Sequence, residues 1–140
     1  MVLAGEGVTA ADQSALDAAV FYLLSSAHPK GIAGLPIAGY SCLEYGGRMF
    51  WDADTWMLPP LALLDKDAGA AVAAFRGRTL QMARNNAALY GFRGAMYAWE
   101  TSERDGHGAA LAPTGWSEHH ITVDVANGVW YVVTSQLSMQ

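Results

Sequence analysis

Residues 50–57 read Phe50-Trp51-Asp52-Ala53-Asp54-Thr55-Trp56-Met57 and set two indoles around two carboxylates. An indole face packs on the C–H face of a pyranose, and a neighbouring carboxylate accepts hydrogen bonds from adjacent hydroxyls. The grouping can therefore hold a sugar ring. It also suits a plainer task, a buried aromatic anchor with Asp52 or Asp54 capping the helix that follows. A second grouping, Tyr97-Ala98-Trp99-Glu100-Thr101, repeats the aromatic-plus-acid theme. Its plainer counterpart is a loop anchor with Trp99 buried and Glu100 in water.

Other chemistry-bearing residues are sparser. His120 and Asp124 stand four apart and could share a metal on a helix, but no third ligand is evident. The alternative is a hydrogen-bonded His119-His120 pair at an element boundary. Arg76, Arg78, Arg84 and Arg93 could suggest a phosphate site, yet they do not share one helical face, and solvated or ion-paired arginines account for them more simply. Cys42 has no base at a recognisable spacing, so no nucleophile–base arrangement stands out. No cofactor and no metal is called for.

These groups must be positioned by a small set of elements. Thr9 followed by Asp12 resembles a helix cap, and Leu16, Val20, Leu23, Leu24 and Ala27 fall on one helical stripe, so a helix is expected from about Thr9 to Ala27. His28-Pro29 ends it. Residues 29–50 read as a long glycine-broken loop, unusual in a compact domain unless it has a task. A second helix is expected from Asp54 to Leu64, split by Pro59-Pro60. The clearest runs from about Asp67 to Tyr90, with Val72, Phe75, Thr79, Met82, Asn86 and Leu89 as its buried stripe and Gly91 as its C-terminal glycine. A polar loop at 92–118 carries the second aromatic–acid grouping. Residues 120–134 conflict. Ile121, Val123 and Val125 alternate with polar residues before Asn127-Gly128, which locally favours a β-hairpin. A helix would instead put Ile121, Val125, Val129 and Val132 on one face.

Composition bounds the rest. The 140 residues are 52% hydrophobic and only 15% charged, against roughly 25% charged in a typical domain. This excludes intrinsic disorder and implies surface meant to be covered by a partner, by a second copy in a homo-oligomer, or by more of the same fold. Net charge is −5, with Lys30, Lys66 and six arginines, so no nucleic-acid footprint is expected. No apolar run is long enough to span a membrane. The single cysteine, Cys42, forbids an internal disulfide, and with no basic leader the expected setting is reducing and cytoplasmic.

The ordered series of segments resembles the central catalytic domain of glycoside hydrolase family 65. This family includes maltose, trehalose and kojibiose phosphorylases, acid trehalases and the glucosidase of glucosylgalactosyl-hydroxylysine. The stretch YGGRMFWDADTWMLP, from Tyr45 to Pro59, is similar to the family's signature loop and helix. The likeness continues through Arg76-Gly77-Arg78-Thr79-Leu80, Ala83, Asn86, Ala87 and Gly91. It then takes in the run Gly94 to Glu100 and the segment His119 to Asp124. It covers residues 14 to 133 or so. The family usually has His where this chain has Arg48, Thr at Ala53 and Glu at Asp54.

The resemblance implies an all-α fold, part of an (α/α)₆ barrel with about four helices and long functional loops, over residues 1–140. It thus implies a helix at 120–134, against the local reading. It implies inversion at an anomeric carbon, with an acid protonating the leaving oxygen while water or inorganic phosphate attacks from the opposite face. Trp51 and Asp52 match the pair that holds the glucosyl unit, and Trp99 and Glu100 are assigned to the same pocket. None of the four matches the proton donor, a glutamate further along the family's chain, so no catalytic residue is expected here. The expected ligand is an α-linked glucosyl disaccharide or glucoside, and the segment is expected to be inactive by itself. The alternatives are a non-catalytic sugar-binding or interaction module, and a small glycosidase completed by oligomerisation with Asp52 and Glu100 as acid and base.

Overall fold

The computed structural model describes all residues except 38, 40–43, 103–107, 110–117 and 138–140. Cys42 and Trp116 lie outside the described residues. The architecture is helical. Helix α1 (Ala10–Ser25) is followed by an irregular stretch, a 3-10 turn at Glu44–Gly47 and strand β1 (Met49–Phe50). A π-helical turn (Ala53–Met57) runs directly into α2 (Leu58–Leu64), and α3 follows at Lys66–Leu89. Strands β2 (Glu100–Thr101) and β3 (Gly108–Ala109) precede α4 (His120–Leu137).

Local chemistry explains most boundaries. Thr9 and Asp12 form a reciprocal capping box at the start of α1: the Asp12 amide donates to Thr9 Oγ1 at 3.2 Å and the Thr9 amide to Asp12 Oδ2 at 2.8 Å. The Thr9 hydroxyl, which donates to Asp12 Oδ2 at 2.6 Å, and then the Thr9 amide hold the Asp12 carboxyl below its ordinary range. The α1 stripe is only half covered. Leu16, Val20, Leu23 and Ala27 are half-buried, Leu24 is exposed, and Phe21 and Tyr22 are largely in solvent. Pro59 and Pro60 do not break the second helix. They occupy the first turn of α2, a position where the fixed φ of proline is tolerated. The preceding π-helical turn, closed by the Leu58 amide on the Ala53 carbonyl, absorbs the change of pitch.

Helix α3 starts at Asp65, whose carboxylate accepts from the amides of Asp67 and Ala68 at 3.1 and 2.9 Å. It ends in a Schellman arrangement. The Phe92 amide donates to the Ala87 carbonyl and the Gly91 amide to that of Ala88, with Gly91 at φ 77°. Its buried face is Ala68, Gly69, Val72, Phe75, Arg76, Thr79, Ala83 and Ala87. The stripe expected from sequence is right at its start and drifts after Thr79. Met82 and Asn86 are half-buried, and Leu89 is 80% exposed. The small residues Ala83 and Ala87 take the inner positions because loop 92–98 lies close against the helix there, the Met96 amide reaching the Ala83 carbonyl at 2.8 Å.

The hairpin reading of 120–134 is wrong. The segment is helical throughout, with Ile121, Val125, Gly128 and Val132 buried at spacings of four, three and four. Gly128 is not a turn residue. A Cβ placed on it would lie 2.7 Å from the Asp54 carbonyl oxygen and 3.2 Å from Asp54 Cβ. The glycine admits close approach of α4 to the π-helical turn, and tertiary packing overrides the β-branched propensity. The core joins Leu35, Ala53, Leu58, Leu61, Ala62, Ala68, Val72 and Val132, from the long loop, the π-helical turn, α2, α3 and α4.

One feature was not legible in the residue pattern. The three two-residue strands form a small antiparallel sheet in the order β1-β2-β3. Phe50 pairs with Glu100 and Met49 with Thr101.

Candidate functional site

The β1–β2 pairing brings the two aromatic–acid groupings together. Trp51 leaves β1 immediately after Phe50, and Trp99 enters β2 immediately before Glu100. Because the strands run antiparallel, those two positions face one another across the ladder. The indoles meet edge to face, with ring centroids 6.0 Å apart and planes at 78°. Trp51, Asp52 and Trp99 are half-buried, each keeping part of its surface open. Trp56 is 70% exposed, so the second indole beside Trp51 comes from the distant motif and not from its own. Burial pushes the Asp52 carboxyl above its ordinary range, while its own backbone and His120 pull it back. Asp52 lies at the N-terminal end of the π-helical turn but makes no capping hydrogen bond there.

Glu100 departs from the plainer reading of its motif. It is not in water but 1% exposed, and it accepts from Arg48 Nη1 at 2.9 Å. Arg48 stays 44% exposed, so the pair joins a buried carboxylate to an open guanidinium.

Beneath the two motifs lies a buried polar network that the sequence reading missed. Arg76 and Asp54 are each 3% exposed. Arg76 Nε donates to Asp54 Oδ1 and Oδ2 at 3.0 and 3.1 Å, and Nη2 donates to Oδ2. Nη2 also reaches the Phe50 carbonyl at 3.3 Å and Nη1 reaches Thr101 Oγ1 at 3.2 Å. The Tyr97 hydroxyl donates to the Arg76 carbonyl at 2.7 Å. Burial pushes the Asp54 carboxyl up, and the guanidinium beside it opposes that shift. Asp54 is thus an ion-pair partner and not a helix cap. A signal was present in the sequence: of the four arginines on or beside α3, only Arg76 falls on the apolar stripe with Val72, Thr79 and Ala83, and a buried arginine demands a carboxylate. Trp51 Nε1 and Thr55 Oγ1, one turn apart, are buried and have no hydrogen-bond partner among the described residues.

His120 closes one side of the site. Its ring meets Trp51 edge-on with centroids 4.7 Å apart. Its two nitrogens lie 2.5 Å from Asp124 Oδ2 and 2.9 Å from Glu118 Oε2. It is the hydrogen-bonded histidine at a helix start that the sequence admitted. Among the described residues no group of three or more His, Cys, Asp and Glu could hold a metal. The two carboxylates, Asp124 first, raise the His120 pKa above 6.5. The linkage follows from that direction. The contacts stabilise the fold fully below the unfolded value of 6.5 and their contribution fades as pH rises through the folded value. NMR titration of the ring is therefore expected to give a midpoint above 6.5, and Asp124→Asn is expected to lower it. A wild-type midpoint at or below that value would contradict the bonding.

No described helix is long and apolar enough to cross a membrane. Comparison with known proteins places these features in a lineage. The family model of the glycosyl hydrolase family 65 central catalytic domain matches residues 17–136. A kojibiose hydrolase of Flavobacterium johnsoniae is 41% identical over 99 residues, covering 69% of this chain and 14% of that protein. A kojibiose phosphorylase of Caldanaerobacter subterraneus is 37% identical, covering 79% of this chain and 16% of its own length. A periplasmic acid trehalase of Saccharomyces cerevisiae is 37% identical over 76% of this chain and 9% of its own length. The chain thus spans less than a fifth of the length of the relatives it matches. The helical architecture, the paired aromatic–acid motifs and the family match over residues 17–136 show that this chain belongs to glycosyl hydrolase family 65.

Proposed function

We propose that residues 1–140 form one partial catalytic domain that supplies the glucosyl-gripping part of an inverting α-glucoside hydrolase or phosphorylase site. Trp51 and Trp99 give the ring its apolar walls, and Asp52 accepts from its hydroxyls. Glu100, adjacent to Trp99 and held by Arg48, completes the grouping. The observation that carries this reading is the edge-to-face meeting of Trp51 and Trp99 beside the half-buried Asp52. The proton donor and the water- or phosphate-activating groups are assigned to other parts of the family's domain. Glu100, buried and committed to Arg48, is poorly placed to exchange protons with a leaving group, which argues against an acid–base pair with Asp52. The ligand is an α-linked glucosyl disaccharide or glucoside, with inorganic phosphate as the second substrate in a phosphorylase. The cytoplasm stays the proposed location on cysteine usage, although the yeast relative's name places that protein in the periplasm.

Calorimetric titration with glucose, kojibiose, maltose and trehalose tests the proposal. Binding in the millimolar range is expected, with no turnover in the presence or absence of phosphate. Asp52→Asn is expected to weaken affinity by about tenfold through loss of a charge-assisted hydrogen bond, and Trp51→Ala by a comparable amount through loss of the wall. Asp52-dependent turnover would overturn the assignment of the proton donor elsewhere. Wild-type affinity unchanged in both variants would overturn the site itself.

A further inference from the structure

We infer that Arg76 is the positioning residue of this site, setting the separation of the two aromatic–acid motifs by holding each of them at both ends. The inference rests on the glucosyl-binding reading above for its ligand, but not for its geometry. On the first motif, Arg76 grips the Phe50 carbonyl on one side of Trp51-Asp52 and the Asp54 carboxylate on the other. On the second motif, it donates to Thr101 Oγ1 just after Glu100 and receives the Tyr97 hydroxyl two residues before Trp99. One residue on a rigid 24-residue helix therefore brackets residues 50–54 and 97–101 together.

The chemistry suits the task. A guanidinium presents its donors in one plane at fixed angles, so three acceptors bound to it hold fixed directions from one another. A lysine at the same place would supply charge without that frame. Stability alone does not explain the pair, because the desolvation of two buried charges offsets their attraction, and apolar replacements of similar volume are often as stable. The two-residue strands supply few backbone hydrogen bonds between the motifs, and beside the half-exposed Arg48–Glu100 ion pair the buried Arg76 clamp is the contact that reaches both sides of each motif.

The experiment separates positioning from folding. In the paired variant Arg76→Met with Asp54→Leu both charges leave together, and far-UV circular dichroism is expected to show native helix content. The near-UV signal of the Trp51–Trp99 couple is expected to collapse, and kojibiose affinity to fall by at least about tenfold. Thr101→Val removes one arm of the clamp with little change of shape and covers the case in which the paired variant unfolds. It is expected to retain helix content, with a weakened near-UV couple and an affinity loss of roughly threefold to tenfold, and Thr101→Ser is expected to restore both. If the wild type binds kojibiose and a folded paired variant, or Thr101→Val, binds it equally well with an unchanged couple, the inference is overturned. If the wild type binds no glucoside, the sugar reading fails, and the near-UV couple alone decides the clamp: loss in Thr101→Val supports it, and an unchanged signal overturns it.

Discussion

Asp54→Ala is expected to destabilise the protein by about 3–5 kcal/mol, because it strands a buried guanidinium without its counter-charge. Arg76 is 3% exposed and cannot turn to water without dismantling its contacts to Phe50 and Thr101. Against a total stability of about 5–15 kcal/mol for a domain, such a loss leaves much of the chain unfolded at moderate temperature. Urea denaturation followed by circular dichroism measures it, with a strongly lowered midpoint as the expected outcome. Asp54→Glu is expected to be far milder, because it keeps the charge and the resemblance places glutamate here in the family. A loss below about 1 kcal/mol in the alanine variant, the size of one ordinary hydrogen bond, would mean that water or another carboxylate reaches Arg76.

The second large effect concerns a glycine in a helix. Gly→Ala in an exposed helix interior usually stabilises by about 0.5–1 kcal/mol. Gly77, exposed on α3 with nothing within 4 Å of an added Cβ, is expected to follow that rule. Gly128 is expected to reverse it. Its added methyl would meet the Asp54 carbonyl oxygen at 2.7 Å, a backbone atom that cannot swing aside. Overpacking of this kind costs roughly 1–3 kcal/mol, and the helix must retreat from the turn that carries Asp52. Gly128→Ala is therefore expected to lower thermal stability and sugar affinity together, while Gly77→Ala raises stability and leaves affinity alone. Thermal melts and titration of both variants check the contrast. Equal behaviour of the two glycines would show that α4 yields to the added methyl without disturbing the turn.

The same glycine explains where sequence reading failed. Asn127-Gly128 between β-branched runs carries every local mark of a tight turn, and nothing within twenty residues says otherwise. The deciding partner, Asp54, is more than seventy positions earlier. The family resemblance supplied the helix because it encodes tertiary context. Features whose cause is local were legible: the Thr9–Asp12 box and the Gly91 terminus. The proposed sugar-binding residues Trp51, Asp52, Trp99 and Glu100 stand out by type, but the meeting of Trp51 with Trp99 depends on a two-residue ladder too short to leave a periodic pattern. Arg76 lay within reach through its place on the apolar face of α3, yet its partner Asp54 reads equally well as a cap. The burial of Glu100 was hidden because Arg48, its partner, sits 52 positions earlier in the chain.

The pairing of Phe50 with Glu100 closes a chain segment of fifty residues with only two rungs. Closing so long a segment costs entropy that two rungs recover slowly, so the helices are expected to assemble first and the strand contact last. Amide protons on those rungs should accordingly exchange sooner than those of α3 in native-state hydrogen exchange. A sugar spanning the two indoles would slow that exchange, acting as a chaperone for the last step of its own site's assembly.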